Sequence, residues 1–431
     1  MLDWLDTFLT NHQELIGLAI FLIAFIECMA LLGLAIPGAT MLMIASAIAG
    51  GFDYPLWKAI LLGILGGWLG DMLSYGIGYK LKSRVYQAAV IKNHPKWINM
   101  ADGYFQRFGG MGLLIGRFIS PLRPIMPMMA GIFQLSFTKC LFVTFISSIA
   151  WSVTFVVPGW VTGAAFTLPV GKQFWLELGC VVAILGTLLG IGIYGCIKQK
   201  RWIAAYMSFV SFLLLLALYL FLPYLQSLDQ GLLLIAKEVR SPEFDSVNQF
   251  ITELGGYKVQ FVISAVLCCL LLFMRQIKPL IFFACTMFGT ATIGWIIKET
   301  VDRARPQAMT DIMQTFSFPS GHTSASFAFF LSLGVLAGLG RSSKTRMLWL
   351  FIASLPAVLI ALSRVYLGVH WVTDVVAGGL LATGICMLVL AWVESREKMQ
   401  PLPHKCWKIL LPVGLLVIIV ATTVTFFKHS V

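Results

Sequence analysis

Charge is scarce in this sequence: of its 431 residues only 12% are Asp, Glu, Lys or Arg, against 59% hydrophobic. An average soluble domain carries about twice that charged fraction. A soluble globular protein is thereby excluded. Large domains outside a bilayer are excluded too, because apolar runs approaching the ~20 residues of a spanning helix follow one another along the chain. Acidic residues are the rarer sign, 19 against 31 Lys and Arg, for a net charge of +12. That excess does not make a nucleic-acid surface, and no nucleic-acid partner is expected. The basic residues sit in short clusters between apolar runs, the positive-inside pattern of a multi-pass membrane protein. The clusters Lys80/Lys82/Arg84, Lys198/Lys200/Arg201, Arg275/Lys278, Arg341/Lys344/Arg346 and Arg396/Lys398/Lys405/Lys408 mark the cytoplasmic side. The nine cysteines include no CxxC pair and no His/Cys ligand spacing. Nearly all, Cys28, Cys180, Cys268, Cys269 and Cys386 among them, lie in apolar runs as small core residues. Met1-Leu-Asp-Trp-Leu-Asp lacks the basic start of a cleaved signal, and the apolar run behind it is expected to stay in the mature protein.

Apolar runs in the first half fall at about 15–36, 39–50, 57–79, 111–131, 138–160 and 173–197. Two are too short or too broken to cross. Run 39–50 lies between Pro37-Gly38 and Gly50-Gly51, and run 111–131 contains Pro121, Pro124 and Pro127. Non-helical backbone at membrane depth survives only where protein or a polar cavity satisfies it, so both predict re-entrant hairpins. The polar, basic and aromatic stretch 80–110 between them suits an interfacial helix. Ala49-Gly50-Gly51-Phe52 with Lys58 is echoed by Ala130-Gly131-Ile132-Phe133 with Lys139. With alternating spans, one hairpin enters from outside and the other from inside, an inverted repeat of the kind that builds midplane transport sites. Lys198-Gln-Lys-Arg201 is the predicted boundary, giving domains 1–197 and 198–431 of an all-α polytopic membrane protein. Further spans follow near 203–225, 257–274, 279–298, 324–340, 347–363, 374–393 and 408–427. The amphipathic segment 226–256 cannot cross.

Three blocks in the second half carry chemistry: Lys298 to Arg305-Pro306, Pro319-Ser320-Gly321-His322, and Ser363-Arg364 with His370 and Asp374. Each sits at the end of a span, and threading the basic clusters inward brings all three to the non-cytoplasmic face. Lys298, Arg305 and Arg364 are cations that match the charge on a transferring phosphoryl group. Gly321 admits close backbone approach, and Ser320 and Gly321 precede a span whose first N–H groups can join an anion site. His370 and Asp374, four apart at the mouth of a helix, allow the carboxylate to hold one ring nitrogen while the other attacks. His322 is left to protonate the leaving oxygen.

Lys298-x6-Arg305-Pro306, Pro319-Ser-Gly-His322 and Ser363-Arg364-x5-His370-x3-Asp374 resemble the three signature motifs of the type 2 phosphatidic acid phosphatase superfamily, at every signature position. The resemblance spans about 200–394. It implies a six-helix bundle, a phosphohistidine on His370 oriented by Asp374, His322 as acid, and Lys298, Arg305, Ser320, Gly321 and Arg364 as phosphate ligands. No metal or other cofactor is expected. The last span, 408–427, exceeds that plan.

Four ionisable residues interrupt the apolar runs of the first half: Glu27, Asp71, Arg117 and Arg123. Each costs about 2.5–3.5 kcal/mol at a helix centre on insertion scales. Two acids and two arginines are therefore expected to meet, either as structural ion pairs or around a site for an anionic substrate. Gly116-Arg117-Phe118-Ile-Ser-Pro121-Leu-Arg123-Pro124 with Ala130-Gly131, Glu27 before Pro37-Gly38, and Gly70-Asp71 before Tyr75 resemble the DedA family over roughly 1–197. That resemblance implies proton-linked lipid translocation, with Arg117 and Arg123 holding a lipid phosphate and Glu27 and Asp71 coupling protons. Undecaprenyl phosphate is the implied cargo in bacteria. Together the halves predict an inner-membrane protein whose outward-facing phosphatase acts on a lipid phosphate, undecaprenyl pyrophosphate foremost, and whose other half returns the lipid monophosphate. Phosphatidic acid or phosphatidylglycerol phosphate with a phospholipid scramblase is the rival. A proton-coupled transporter of small solutes beside an independent phosphatase is another.

Overall fold

A computed structural model describes residues 12–30, 32–34, 37–52, 54–81, 113, 116–117, 122–167, 171–198, 202–306, 316–395 and 397–430. Every regular element among them is a helix, and nine helices are long and apolar enough to cross a membrane. The chain forms two compact units, Met1–Pro169 and Val170–Val431.

The first unit contains α1 (Ile16–Cys28), α2 (Gly38–Gly51), α3 (Leu56–Leu81), α4 (Ile125–Ile132) and α5 (Phe137–Thr167). The run expected as one span at 15–36 is instead broken after Cys28. At 13 residues α1 is about 20 Å long, short of a ~30 Å hydrocarbon core. Ser74 of α3 holds the break. Its Oγ accepts the Ala30 amide at 2.7 Å and lies 3.0 Å from the Cys28 carbonyl. The stretch expected as an interfacial helix lies almost wholly outside the described residues.

The sequence echo is a structural repeat. Gly50 of α2 sits where a Cβ would overlap the Trp160 carbonyl and Ala164 amide of α5, and Gly131 of α4 sits in the same way on Tyr75 and Tyr79 of α3. The partner helices reciprocate, Gly163 against Ala47 and Gly78 against Met128. Gly50 and Gly131, like Ala47 and Met128, are 81 apart, while Trp160, Gly163 and Ala164 each lie 85 beyond Tyr75, Gly78 and Tyr79. Each short helix thus packs on the long helix of the other copy. The long helices run antiparallel: Ser152 Oγ donates to the Ile60 carbonyl at 3.0 Å, and Trp68 Nε1 to the Leu141 carbonyl at 3.2 Å. The two-fold relation therefore lies across the spans, as an inverted repeat requires.

The second unit contains α6 (Lys172–Lys198), α7 (Trp202–Phe221), α8 (Gln226–Val239), α9 (Pro242–Leu254), α10 (Tyr257–Phe273), α11 (Ile277–Val301), α12 (Gly321–Gly338), α13 (Ser343–Tyr366), α14 (Val372–Val393) and α15 (His404–Ser430). Helices α7 and α10–α14 make the bundle, with Phe282, Phe283, Phe329 and Leu336 in its core. Phe261, Phe273 and Phe288 are at least 74% exposed, which in a soluble protein would be an aggregation surface and here is a lipid-facing one. Helix α15 packs on α9 and α10. Helix α6, grouped with the first half by the predicted boundary at 197, packs in this unit against α7, α8 and α13. Its buried Glu177 accepts the Leu228 amide at 2.7 Å and so caps α8. Helices α8 and α9 lie where the sequence is amphipathic, and α9 meets α10 at a 41° bend.

Candidate active site

Four chain segments converge at one end of the bundle. Helix α11 ends with Lys298 in its last turn, and Asp302 then takes a left-handed φ of 47°, which its short polar side chain tolerates. Arg303–Pro306 follow. Ser320 opens α12 and Arg364 stands in the last turn of α13. Gly368, at φ 66°, reverses the chain into His370 and Trp371, and α14 begins at Val372. Gly378 of α14 brings the start of α12 close, since a Cβ there would meet the Ser320 carbonyl at 2.8 Å.

His370 is buried, with Nδ1 3.4 Å from Asp374 Oδ2 and Nε2 3.2 Å from an Arg305 terminal nitrogen. A guanidinium only donates, so Nε2 is the acceptor and the ring proton lies on Nδ1, facing the carboxylate. His370 precedes α14 rather than sharing a helical face with Asp374. The carboxylate reaches back instead, accepting the Trp371 amide at 2.9 Å from the third position of α14. Burial first, then the charges of Arg364, Arg305 and Lys298, push the His370 imidazole well below the ordinary histidine range. The ring is therefore neutral, with an unprotonated Nε2 beside a cation.

The three predicted phosphate-binding cations surround it. Lys298 Nζ donates to the Phe316 carbonyl at 2.9 Å, and Arg305 donates to the Val369 carbonyl at 3.0 Å. Arg364 donates to Thr252 Oγ1 at 2.8 Å while its buried Nε has no partner among the described residues. Ser320 is fully buried, and its amide donates to the Asp374 carbonyl at 3.0 Å. His322 stands in the first turn of α12 within the field of Arg364, His370, Arg305 and Lys298. All eight predicted residues are thus brought together, Gly321 as the first residue of α12. Among the described residues no three His, Cys, Asp or Glu side chains gather as a metal site would require.

Sequence reasoning missed Arg303, Asp229, Thr373 and Thr252. Arg303 donates to Asp374 Oδ1 and to Asp229 Oδ2, both at 2.6 Å. Its place between Lys298 and Arg305 made it look like motif spacing. Asp229 had a signal: it falls on the buried stripe of α8 with Leu228, Gly231, Ile235 and Ala236, where an acid needs a partner.

In the first unit the four predicted ionisable residues also meet, as two buried ion pairs. Arg117 pairs with Asp71 and Arg123 with Glu27, and none of the four is more than 4% exposed. Both guanidiniums lie over the buried Trp151 ring, at 5.2 and 5.1 Å from its centre. Arg123 Nε donates to the Arg117 carbonyl at 2.7 Å, locking the pairs together. Glu27 Oε2, Asp71 Oδ1, Arg117 Nε and Trp151 Nε1 have no partner among the described residues.

The first arm of the hairpin expected at 111–131 lies largely outside the described residues; fold and site together define a polytopic membrane protein in which an inverted-repeat helical unit is joined to a phosphatase-type bundle. Residues 278–398 match the PAP2 superfamily, and residues 36–161 match the VTT domain. Through these parts the chain belongs to the PAP2 superfamily and to the DedA family that the VTT domain typifies. The inner membrane protein YabI of Escherichia coli is 30% identical over 182 residues, 41% of this chain and 72% of that protein. Phosphatidylglycerophosphatase B of Bacillus subtilis is 29% identical over 45% of this chain and 97% of its own length. An undecaprenyl-diphosphatase of Sulfolobus acidocaldarius is 31% identical over 35% of this chain and 73% of its own. The crystal structure of a transmembrane PAP2 type phosphatidylglycerolphosphate phosphatase from Bacillus subtilis covers 45% of this chain and 98% of its own, at 28% identity and a TM-score of 0.41.

Proposed function

We propose that the second unit is a lipid-phosphate phosphatase that acts through His370, with undecaprenyl pyrophosphate as its main substrate. The observation that carries this is the neutral His370 Nε2 among Lys298, Arg305 and Arg364, with Asp374 on the opposite ring nitrogen. In this reading Nε2 attacks the terminal phosphorus and its bond to the bridging oxygen breaks. His322 protonates that oxygen, and the lipid monophosphate leaves. Water then displaces phosphate from the phosphohistidine, giving its proton to His322. The cations and the α12 N-terminal amides balance charge on the phosphoryl oxygens, so the chemistry is written without a metal.

The first unit is read as the return path. Arg117 and Arg123 would take the lipid phosphate, and Glu27 and Asp71, on accepting protons, would release them from their ion pairs. A phosphatase whose product is the cargo of its own neighbouring domain makes one pathway of two activities, which favours undecaprenyl pyrophosphate. The 97% coverage of phosphatidylglycerophosphatase B favours a second reading, phosphatidylglycerol phosphate or phosphatidic acid with a phospholipid scramblase. Phosphate release by purified protein from a panel of these lipids separates the two: preference for undecaprenyl pyrophosphate supports the first, glycerophospholipid turnover the second. The hydrolytic site is proposed to face the periplasm of an inner membrane. Cysteines introduced at Gln307 and Ser342 test this with an impermeant thiol reagent in intact cells, only the first reacting; the reverse pattern would overturn it.

A further inference from the structure

The carboxylate that orients His370 is itself held from a distance. Asp374 Oδ1 accepts one terminal nitrogen of Arg303 at 2.6 Å, and the other donates to Asp229 Oδ2, also at 2.6 Å. Asp229 comes from α8, 74 residues before Arg303. Its Oδ1 accepts the Thr373 amide at 3.0 Å, in the first turn of α14, and its Oδ2 accepts the Thr373 hydroxyl at 2.7 Å. That hydroxyl in turn accepts Arg303 at 2.7 Å. The Arg303 guanidinium lies over the Trp371 ring at 5.6 Å, and Trp371 Nε1 donates to the Ala304 carbonyl at 2.9 Å. Both carboxylates are buried, and these contacts tie α8, α14 and the segment after α11 to one another.

We propose that Asp229 and Arg303 are positioning residues of the phosphatase reaction, holding the Asp374 carboxylate against His370 Nδ1 and setting the charge that the imidazole feels. The inference rests on the reading of His370 as nucleophile. The groups facing His370 are Arg364 from α13, Lys298 and Arg305 from α11 and the segment after it, His322 from α12 and Asp374 from α14. Arg303 and Asp229 stand one contact further out, with opposite charges. Removing Arg303's charge leaves Asp374 less compensated and favours the imidazolium. Removing Asp229's charge lets Arg303 act on Asp374 in full and disfavours it. A packing role predicts no such opposition of sign.

The test is steady-state kinetics of the full-length protein in detergent micelles across pH. The probe is undecaprenyl pyrophosphate, or phosphatidylglycerol phosphate should wild type hydrolyse that faster. Arg303→Gln and Asp229→Asn are expected to lower kcat at least about tenfold with KM within about twofold. The acid limb of kcat/KM should move up in Arg303→Gln and down in Asp229→Asn, by about half a pH unit or more. The double variant should return it toward wild type. Arg303→Lys, which keeps the charge but loses the fork, should lower kcat with the limb in place, and it carries the test if either neutral variant fails to fold. A raised KM at unchanged kcat would make these residues substrate ligands and overturn the proposal. Equal losses with unmoved acid limbs in folded variants would reduce them to packing and overturn it as well. Full turnover by His370→Ala would instead sink the nucleophile reading, whatever the acid limbs do.

Discussion

The two units treat buried positive charge in opposite ways. In the first, Arg117 and Arg123 each meet one carboxylate, so the cluster is neutral and closed. In the second, neither Lys298 nor Arg364 pairs with a carboxylate among the described residues; a carbonyl and a hydroxyl hold them, while Asp229 and Asp374 converge on Arg303. Buried charges that no carboxylate pairs directly are costly, and a site that keeps them is already arranged for an incoming dianion. A closed pair takes an anion only after it is opened. In the proposed transport role, protonation of Glu27 or Asp71 is the simplest way to open it, and it would tie anion binding there to proton uptake.

Substitutions sharpen that contrast. Lys298→Met is expected to lower kcat/KM about 10²- to 10³-fold, by loss of a preorganised cation, while thermal stability stays level or rises as repulsion from Arg305 and Arg364 is relieved. Arg117→Ala should do the reverse. Stranding Asp71 costs about 3–5 kcal/mol of stability, most of it recovered in the Arg117→Ala/Asp71→Ala double variant, with phosphate release in detergent nearly intact. Leaflet exchange of lipid monophosphate in sealed vesicles should stop in both. If an arginine variant that remains folded loses hydrolysis as well, the first unit is better read as part of the phosphatase.

His322→Ala should lose about 10²- to 10⁴-fold on a lipid alkyl phosphate and visibly less on a substrate with a good leaving group, because an acid matters most when the departing oxygen is basic. Equal losses on the two substrates would contradict its role. The pH dependence is subtler. In the proposed mechanism His370 acts neutral, and its imidazole lies well below the ordinary range, so kcat/KM should not decline on its account as pH falls from 7 toward 6; a decline there that His322→Ala leaves in place would count against that mechanism. The smallest effect belongs to Glu177. Glu177→Gln keeps an acceptor for the Leu228 amide and should be almost silent, whereas Glu177→Ala should cost about 1 kcal/mol in a thermal or denaturant unfolding assay.

The convergence of the candidate site residues was legible because the motifs are local: each block closes a span or opens one, and the ends meet wherever the helices pack. Arg303 and Asp229 were not, because their bond joins an amphipathic helix to a loop 74 residues on, and no periodicity encodes such a contact. The inverted repeat showed in sequence only as the short echo around Gly50 and Gly131, the positions where backbone touches backbone and no side chain fits. The break at Cys28 was hidden because Ser74, which makes it, belongs to another helix. The boundary at 197 followed a basic cluster, a sound marker of a membrane face but not of a domain edge. What assigns α6 to the second unit is packing and the bond from Glu177 to α8.

In the proposed mechanism hydrolysis passes through His370. Purified protein mixed with a lipid pyrophosphate labelled on its terminal phosphate and quenched within one turnover tests it most directly. The expected result is label bound to the protein as an acid-labile, base-stable phosphohistidine, absent from folded His370→Ala together with phosphate release. Phosphate release by His370→Ala at the wild-type rate, with no label on the wild-type protein, would contradict it.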